Sequence, residues 1–209
     1  MELENRKTFL PKGRQEGKRS FQKKGLKEAV KERRRVIFVD WMRYGLISKL
    51  WRSWSPIGHR LPLLKQIEFK WGYLCAEVEV LSGEVNVWLV EKVDKEVVAL
   101  LVEKMAEKWG QKVAIVWDNA KAHQGAIGKL PCTFKAIFLP PYSPELNPVE
   151  RLFEELRGKV ANRVFESLEE LEAALVKALK EYWDDREKVR KLCGYEWIVA
   201  QLQSSQSVC

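Results

Sequence analysis

Several absences narrow what this chain can be. No run of eighteen apolar residues occurs, so no membrane-spanning helix is expected. The start, MELENRKTFLPKGRQEGKR, has no apolar h-region and does not read as a signal peptide. Cysteine is sparse: Cys75, Cys132, Cys193 and Cys209 lie far apart with no C-x-x-C pair. That spacing argues against a zinc site and fits reduced thiols in a cytoplasmic protein. No internal repeat, low-complexity segment or helix-turn-helix pattern can be read. A module that reads DNA sequence is therefore not expected in these residues.

What is present is enough for one good core and an appendage: 209 residues, 46% of them hydrophobic. The net charge of +8 is unevenly placed. Residues 1–35 hold 13 of the 37 Lys and Arg and 5 of the 29 Asp and Glu, leaving 24 of each sign in the rest. The whole excess sits in an N-terminal arm, residues 1–35, ahead of a neutral body, residues 36–209. A basic arm on a neutral body suits a polyanion such as DNA. The candidate phosphate contacts are Lys12, Arg14, Lys18, Arg19, Lys23, Lys24, Arg33, Arg34 and Arg35. The blander reading is a solubilising tail. Leu26 to Arg35 can form a short helix.

The body opens on Val36-Ile37-Phe38-Val39, a β-branched and aromatic run that reads as a buried strand ending at Asp40. Leu63 to Val80 offers one or two strands, and Ser82-Gly83 turns into another, Glu84 to Val90. Asp94 caps a helix whose Val97, Val98, Leu101, Val102, Met105 and Trp109 repeat at helical spacing, with Gly110 at its end. Val113 to Trp117 is a further buried strand, ending at Asp118. A short helical piece near Gln124–Leu130 and a strand from Phe134 to Leu139 follow. The rigid Pro140-Pro141-Tyr142-Ser143-Pro144 connector then leads to a helix. Asn147 can cap that helix, with Pro148 first and Glu150 third. Ser167 opens an amphipathic helix in a capping box, and a last helix covers Arg186–Gln201. The crossover helix implies that the Val113 strand runs parallel to the first strand. Asp40 and Asp118 then share the carboxyl edge of a mixed α/β sheet, where sites form.

Asp40, Asp118 and Glu150 thus converge. Any one alone has a plain reading: an acid at a strand end is often a turn former, and Glu150 can complete a cap. Three carboxylates together repel unless a cation neutralises them. The conjunction points to Mg²⁺ or Mn²⁺ and, with two ions, to chemistry at a phosphodiester.

These residues lie in strings that resemble a known family. WDNAKAHQ and IFLPPYSPELNPVERLFEELRGKV resemble the catalytic core of bacterial insertion-sequence transposases related to mariner, which are DDE-type enzymes. VIFVDWMRYGL with WSPIGHR resembles their first catalytic-strand region, and SLEELEAALVKALKEYW with GYEWI their C-terminal helices. The resemblance covers about residues 30 to 200. It implies an RNase H-like, retroviral integrase-like fold: a mixed five-stranded sheet flanked by helices, with extra C-terminal helices. It implies that Asp40, Asp118 and Glu150 are the catalytic metal-binding triad, with Asn119, His123 and Asn147 as supporting residues. It also implies that the chain cleaves and joins DNA at transposon terminal repeats and target DNA. The active form would be a homo-oligomer associated with the nucleoid, with a separate helix-turn-helix subunit as a possible partner. Three departures stand out. The family's usual acid after the first Asp is replaced by Trp41. The gap from Asp118 to Glu150 is slightly short. The N-terminal helix-turn-helix domains are missing.

Two other readings compete: a catalytically silent DNA-binding or assembly module of a split transposase, and an RNase H-like nuclease. The intact triad favours an enzyme, and LPPYSPELNPVE favours a transposase. Most Trp are expected in the core. Trp51 and Trp54, near Arg43, Lys49, Arg52 and Arg60, are candidates for stacking on unpaired bases.

Overall fold

The computed structural model describes residues 21, 26–52, 54–59, 62, 64–110 and 112–204. Lys12, Arg14, Lys18, Arg19, Lys23, Lys24 and Arg60 lie outside the described residues.

The chain forms helix α1 (Lys27–Lys31), strands β1 (Arg35–Ile47), β2 (Ile67–Glu79) and β3 (Glu84–Val90), and helix α2 (Lys95–Trp109). It continues with β4 (Val113–Trp117), α3 (Lys121–Ala126) and β5 (Lys135–Phe138). The helices α4 (Val149–Val160), α5 (Leu168–Asp184), α6 (Arg186–Cys193) and α7 (Glu196–Gln203) complete it. The sheet has five strands in the order β3-β2-β1-β4-β5. β1 pairs antiparallel with β2 and parallel with β4, and β4 parallel with β5. The expected crossover and mixed sheet are both present.

β1 does not end at Asp40. It runs on to Ile47 because Met42, Tyr44 and Leu46 continue one buried face and β2 supplies hydrogen bonds throughout. The parallel partner stops earlier, at Phe38 opposite Val116. The carboxyl edge of β4 therefore lies beside Asp40 although β1 itself continues past it.

Alternation divides β1 between two cores. Val36, Phe38 and Met42 join the core that also holds Val149, Leu152, Phe153, Leu156 of α4 and Leu175 and Leu179 of α5. Ile37 and Val39 join the opposite core with Val98, Val102, Met105 and Trp109 of α2. Leu26 and Ala29 are buried in the first core, so the folded body starts before residue 36.

The expected last helix is two helices. Gly194 breaks it: a Cβ there would come within 2.2 Å of the Arg190 carbonyl oxygen, to which Gly194 also donates its N–H. No helix among the described residues is long and apolar enough to cross a membrane.

Candidate active site

Three elements each deliver one carboxylate. Asp40 is on the β1 face shared by Phe38 and Met42, which packs against α4. Asp118 follows β4 directly, after five buried residues that fix the strand. Glu150 is in the first turn of α4. Asp40, Asp118 and Glu150 line one cleft of about 450 Å³, together with Asn119 and Asn147 and the Pro140–Pro144 connector.

Asn147 ties this together. It is 1% exposed. Its Nδ2 donates to the Val39 carbonyl and to Asp40 Oδ2, each at 3.1 Å. Its Oδ1 accepts the Val149 N–H at 3.2 Å. One side chain thus links β1 to the start of α4. The helix begins one residue later than expected, with Pro148 (φ −65°) in the cap position and Glu150 second. The cause is the 3₁₀ turn Pro144–Leu146, whose Pro144 carbonyl accepts the Asn147 N–H at 2.9 Å. Glu150 is therefore not a capping-box partner. Its Oε2 instead accepts from Arg157 Nη1 at 3.2 Å. Packing positions α4: Val149, Leu152, Phe153 and Leu156 are all 0% exposed. At roughly 2 kcal/mol each, their burial outweighs any single cap.

The electrostatics of the three acids differ. The Asp40 carboxyl is pushed up to about 7, first by burial and then by the charges of Glu150 and Asp118, against a lowering hydrogen bond from the Trp41 N–H. Asp118 is held below the ordinary carboxylate range, chiefly by its hydrogen bond with His123.

His123 stands behind Asp118. It is 2% exposed and stacks on the Trp117 ring at 4.7 Å. The Trp41 Nε1–H donates to His123 Nε2 at 2.8 Å. An indole nitrogen only donates, so Nε2 is the acceptor and the ring proton of the neutral imidazole is on Nδ1. Nδ1 therefore donates to Asp118 Oδ1 at 2.6 Å. A chain from Trp41 through His123 fixes one oxygen of Asp118.

Asn119 Nδ2 donates to the Leu139 carbonyl at 2.7 Å, joining the ends of β4 and β5 beside the cleft. Arg34 and Arg35 are elsewhere. They stand at the amino end of β1, where Arg34 donates to the Thr133 carbonyl and Arg35 pairs with Glu79. Arg33 is exposed with φ 54°. Sequence reading missed Trp41 and Arg157 as partners of the site. Arg157 had a signal: it follows Glu150 by seven residues, two helical turns, and so shares its face. Trp41 had none beyond alternation, which turns it to the sheet face opposite Asp40.

As the side chains stand, no three His, Cys, Asp or Glu groups among the described residues are close enough to ligate one ion. The donor set nevertheless fits a hard cation: three carboxylates in one cleft, one of them raised by burial and by the charges of the other two.

The sequence profile of the DDE superfamily endonucleases matches residues 35–172, which include all three acids. The chain belongs to this family. An uncharacterised protein of Sinorhizobium fredii (strain NBRC 101917 / NGR234) is 30% identical over 89 residues, 42% of this chain and 66% of that protein. The solved Mos1 mariner paired end complex with Mn matches with a TM-score of 0.66 at 18% identity, covering 100% of this chain and 68% of that one. The catalytic domain of Mos1 mariner transposase matches with a TM-score of 0.60 at 17% identity, covering 94% of this chain and 96% of that one. At these identities the likeness concerns the fold. The DDE endonuclease described here has the expected RNase H-like fold, a mixed five-stranded sheet flanked by helices. It spans about two thirds of the length of the paired-end transposase chain and of the bacterial relative.

Proposed function

We propose that this DDE endonuclease is the catalytic core of a metal-dependent DNA transposase that cleaves and joins phosphodiester bonds at insertion-sequence ends. The observation that carries the reading is the shared cleft. Asp40, Asp118 and Glu150 come from β1, the end of β4 and α4, and burial, with the charges of Glu150 and Asp118 added to it, raises Asp40. A cation offsets the repulsion among them. The three carboxylates would hold Mg²⁺ or Mn²⁺, two ions in the full reading, and the solved mariner relative contains Mn. When bound, such ions make water or a 3′-hydroxyl nucleophilic and stabilise the leaving oxygen.

The chain's own residues do the positioning. Asn147 holds Asp40 against α4. Trp41 and His123 hold one oxygen of Asp118, so its other oxygen is presented in a defined direction. Arg157 pairs with Glu150 at the edge of the cleft, and Glu150 would be one of the groups that hold the cation. The partners in this reading are transposon-end and target DNA, a second copy of the chain and a separate helix-turn-helix subunit. Association with the nucleoid follows from the same reading. Lys12, Arg14, Lys18, Arg19, Lys23 and Lys24 would contact phosphates. Arg33 would add to them, whereas Arg34 and Arg35 already serve contacts within the body.

The test is Glu150→Gln, assayed for stability without metal and for Mn²⁺-dependent cleavage of DNA ends, with a helix-turn-helix subunit supplied in trans. Preserved stability with cleavage lost is the expected result. Cleavage near the wild-type rate would overturn the assignment.

A further inference from the structure

Past Asp40, β1 leads into a second cleft, of about 610 Å³, between the far ends of β1 and β2 and helices α4 and α5. Arg43, Lys49, Lys70, Arg157 and Arg163 line it, and no Asp or Glu does. Lys70 pairs with Glu68 and Arg157 with Glu150. Arg43, Lys49 and Arg163 form no ion pair among the described residues, and Glu150 is the carboxylate that attracts Lys49. Gathering like charges without counter-charges costs free energy unless an anion is meant to join them. Lys49 shows that cost: its ammonium is held below the ordinary lysine range by partial burial and by repulsion from Arg157 and Arg43, which outweigh the attraction of Glu150.

The cleft is built rather than incidental. Asn162, at φ 57°, fastens the end of β1 to the end of α4. Its N–H donates to the Lys49 carbonyl at 3.0 Å, and its side chain brackets the Trp51 backbone at 2.8 and 3.1 Å. The Trp51 ring rests on Gly158, where a Cβ would approach it to 2.8 Å. Lys49 is thereby held beside Arg157.

The wall is aromatic as well as basic. Trp71 is 45% exposed, and the Arg43 guanidinium lies 5.5 Å over its ring. Cations set around a half-exposed indole suit phosphates joined to unpaired bases, because paired bases have no free face to stack. The two clefts also adjoin: Arg157 lines this one and bonds Glu150, which lines the other. We infer that this cleft is a binding site for an unpaired nucleotide segment, its phosphates on Lys49 and Arg163 and a base on Trp71. Resting on the proposed function, that segment is the part of the DNA strand that flanks the cleaved bond.

The experiment is fluorescence anisotropy of a labelled oligothymidylate of about ten nucleotides, titrated with protein in EDTA so that metal binding plays no part. Lys49→Gln and Arg163→Gln should each weaken binding about fivefold and lower the salt slope by about 0.7. Trp71→Leu should weaken it about tenfold and leave the salt slope unchanged. Lys177→Gln, on the exposed side of α5, is the charge control. If the three cleft variants bind like Lys177→Gln, the inference is wrong. It is also wrong if Lys49→Gln leaves oligonucleotide binding intact and instead changes the elution volume, which would make the cleft an interface between copies. Lys49 and Arg163 are exposed, so a failure of Trp71→Leu to fold leaves the test standing. Asp118→Asn should bind the oligonucleotide normally in EDTA. If that variant still cleaves DNA with Mn²⁺, the carboxylate assignment fails while the result for this cleft stands.

Discussion

Asp40 and Glu77 are carboxylates on adjacent strands, one register step apart: Asp40 lies opposite Ala76, and Glu77 opposite Val39. Alternation sends them to opposite faces of the sheet. Both are raised above the ordinary range, with burial as the first cause. Their neighbours differ completely. Glu77 is 0% exposed and ringed by donors: Asn86 Nδ2 at 3.1 Å, Trp88 Nε1 at 2.7 Å and Trp109 Nε1 at 2.5 Å. It binds α2 and β3 to β2. Asp40 has two donors, Trp41 N–H and Asn147 Nδ2, and faces the charges of Glu150 and Asp118 across a cleft. A buried acid surrounded by donors is complete as it stands. An acid that faces two further acids lacks that completion, and the proposed cation would supply it. Burial and a raised pKa alone do not separate structure from function; the sign of what surrounds the group does.

The same substitution, carboxylate to amide, should therefore have opposite signs at the two positions. Glu77→Gln keeps the shape but offers one oxygen and one NH₂ to three donors. At least one buried N–H loses its acceptor and meets the amide NH₂ instead, a cost of about 3 kcal/mol. Denaturant unfolding should show this loss at pH 8 with or without Mn²⁺. A neutral Glu77→Gln would mean that the indole network does not need the charge.

Asp40→Asn should stabilise the metal-free protein. The folded-state pKa, about 7, is above the unfolded value near 3.8, so the folded protein retains a proton that the unfolded chain releases. Wild-type stability is then lost as pH rises from about 4 to about 7, and the full penalty persists above that. The amide removes this penalty but leaves one oxygen to serve both Trp41 and Asn147. The net gain is about 2 kcal/mol at pH 8 and none at pH 4. Added Mn²⁺ should stabilise wild type and close the gap. A gain of equal size at both pH values would show that ionisation of Asp40 is not its source.

How legible this comparison was in the sequence depends on range. The Asp40 side could be read because strand ends, a crossover helix and Asn-Pro before Glu150 are local signals, and topology then brings them together. The boundary errors have local causes too: β1 outlasts Asp40 because β2 pairs with it, and the last helix breaks where only a glycine fits at residue 194. Glu77 could not be read. It sits mid-strand in an ordinary alternation, and its donors come from residues 86, 88 and 109, whose meeting depends on how α2 lies on the sheet. Trp41 was visible only as a departure from a family pattern. Its bond to His123 spans 82 positions and no local rule anticipates it.

That bond yields a smaller effect. Trp41→Phe keeps an aromatic ring but removes the N–H that sets the His123 tautomer. Asp118 then loses its fixed partner part of the time. Residues that orient a metal ligand typically cost about tenfold or more in metal affinity when changed. Calorimetric Mn²⁺ titration should show a loss of about tenfold, with the melting temperature little changed because Trp41 is only partly buried. A large fall in melting temperature with unchanged Mn²⁺ affinity would make the chain a packing feature, closer in kind to Glu77.

The smallest effect tests whether Glu150 belongs with Asp40 or with Glu77. Its partner Arg157 is 27% exposed and Glu150 32%, and their contact is 3.2 Å. Such a half-exposed pair is worth well under about 1 kcal/mol once solvent screening is counted. Arg157→Gln should therefore hardly change metal-free stability, unlike Glu77→Gln. Its effect should be on the metal. Arg157 competes with the ion for the Glu150 carboxylate, so removing it lowers what Glu150 must give up to turn into the cleft. Mn²⁺ affinity should rise, by about two- to threefold if the pair is worth about 0.5 kcal/mol. The gain should vanish in a Glu150→Gln background, because the competition requires the charge. If Arg157→Gln lowers Mn²⁺ affinity instead, then Arg157 orients Glu150 for the ion rather than holding it back. Glu150 would then be, like Asp118, a carboxylate positioned by its partner.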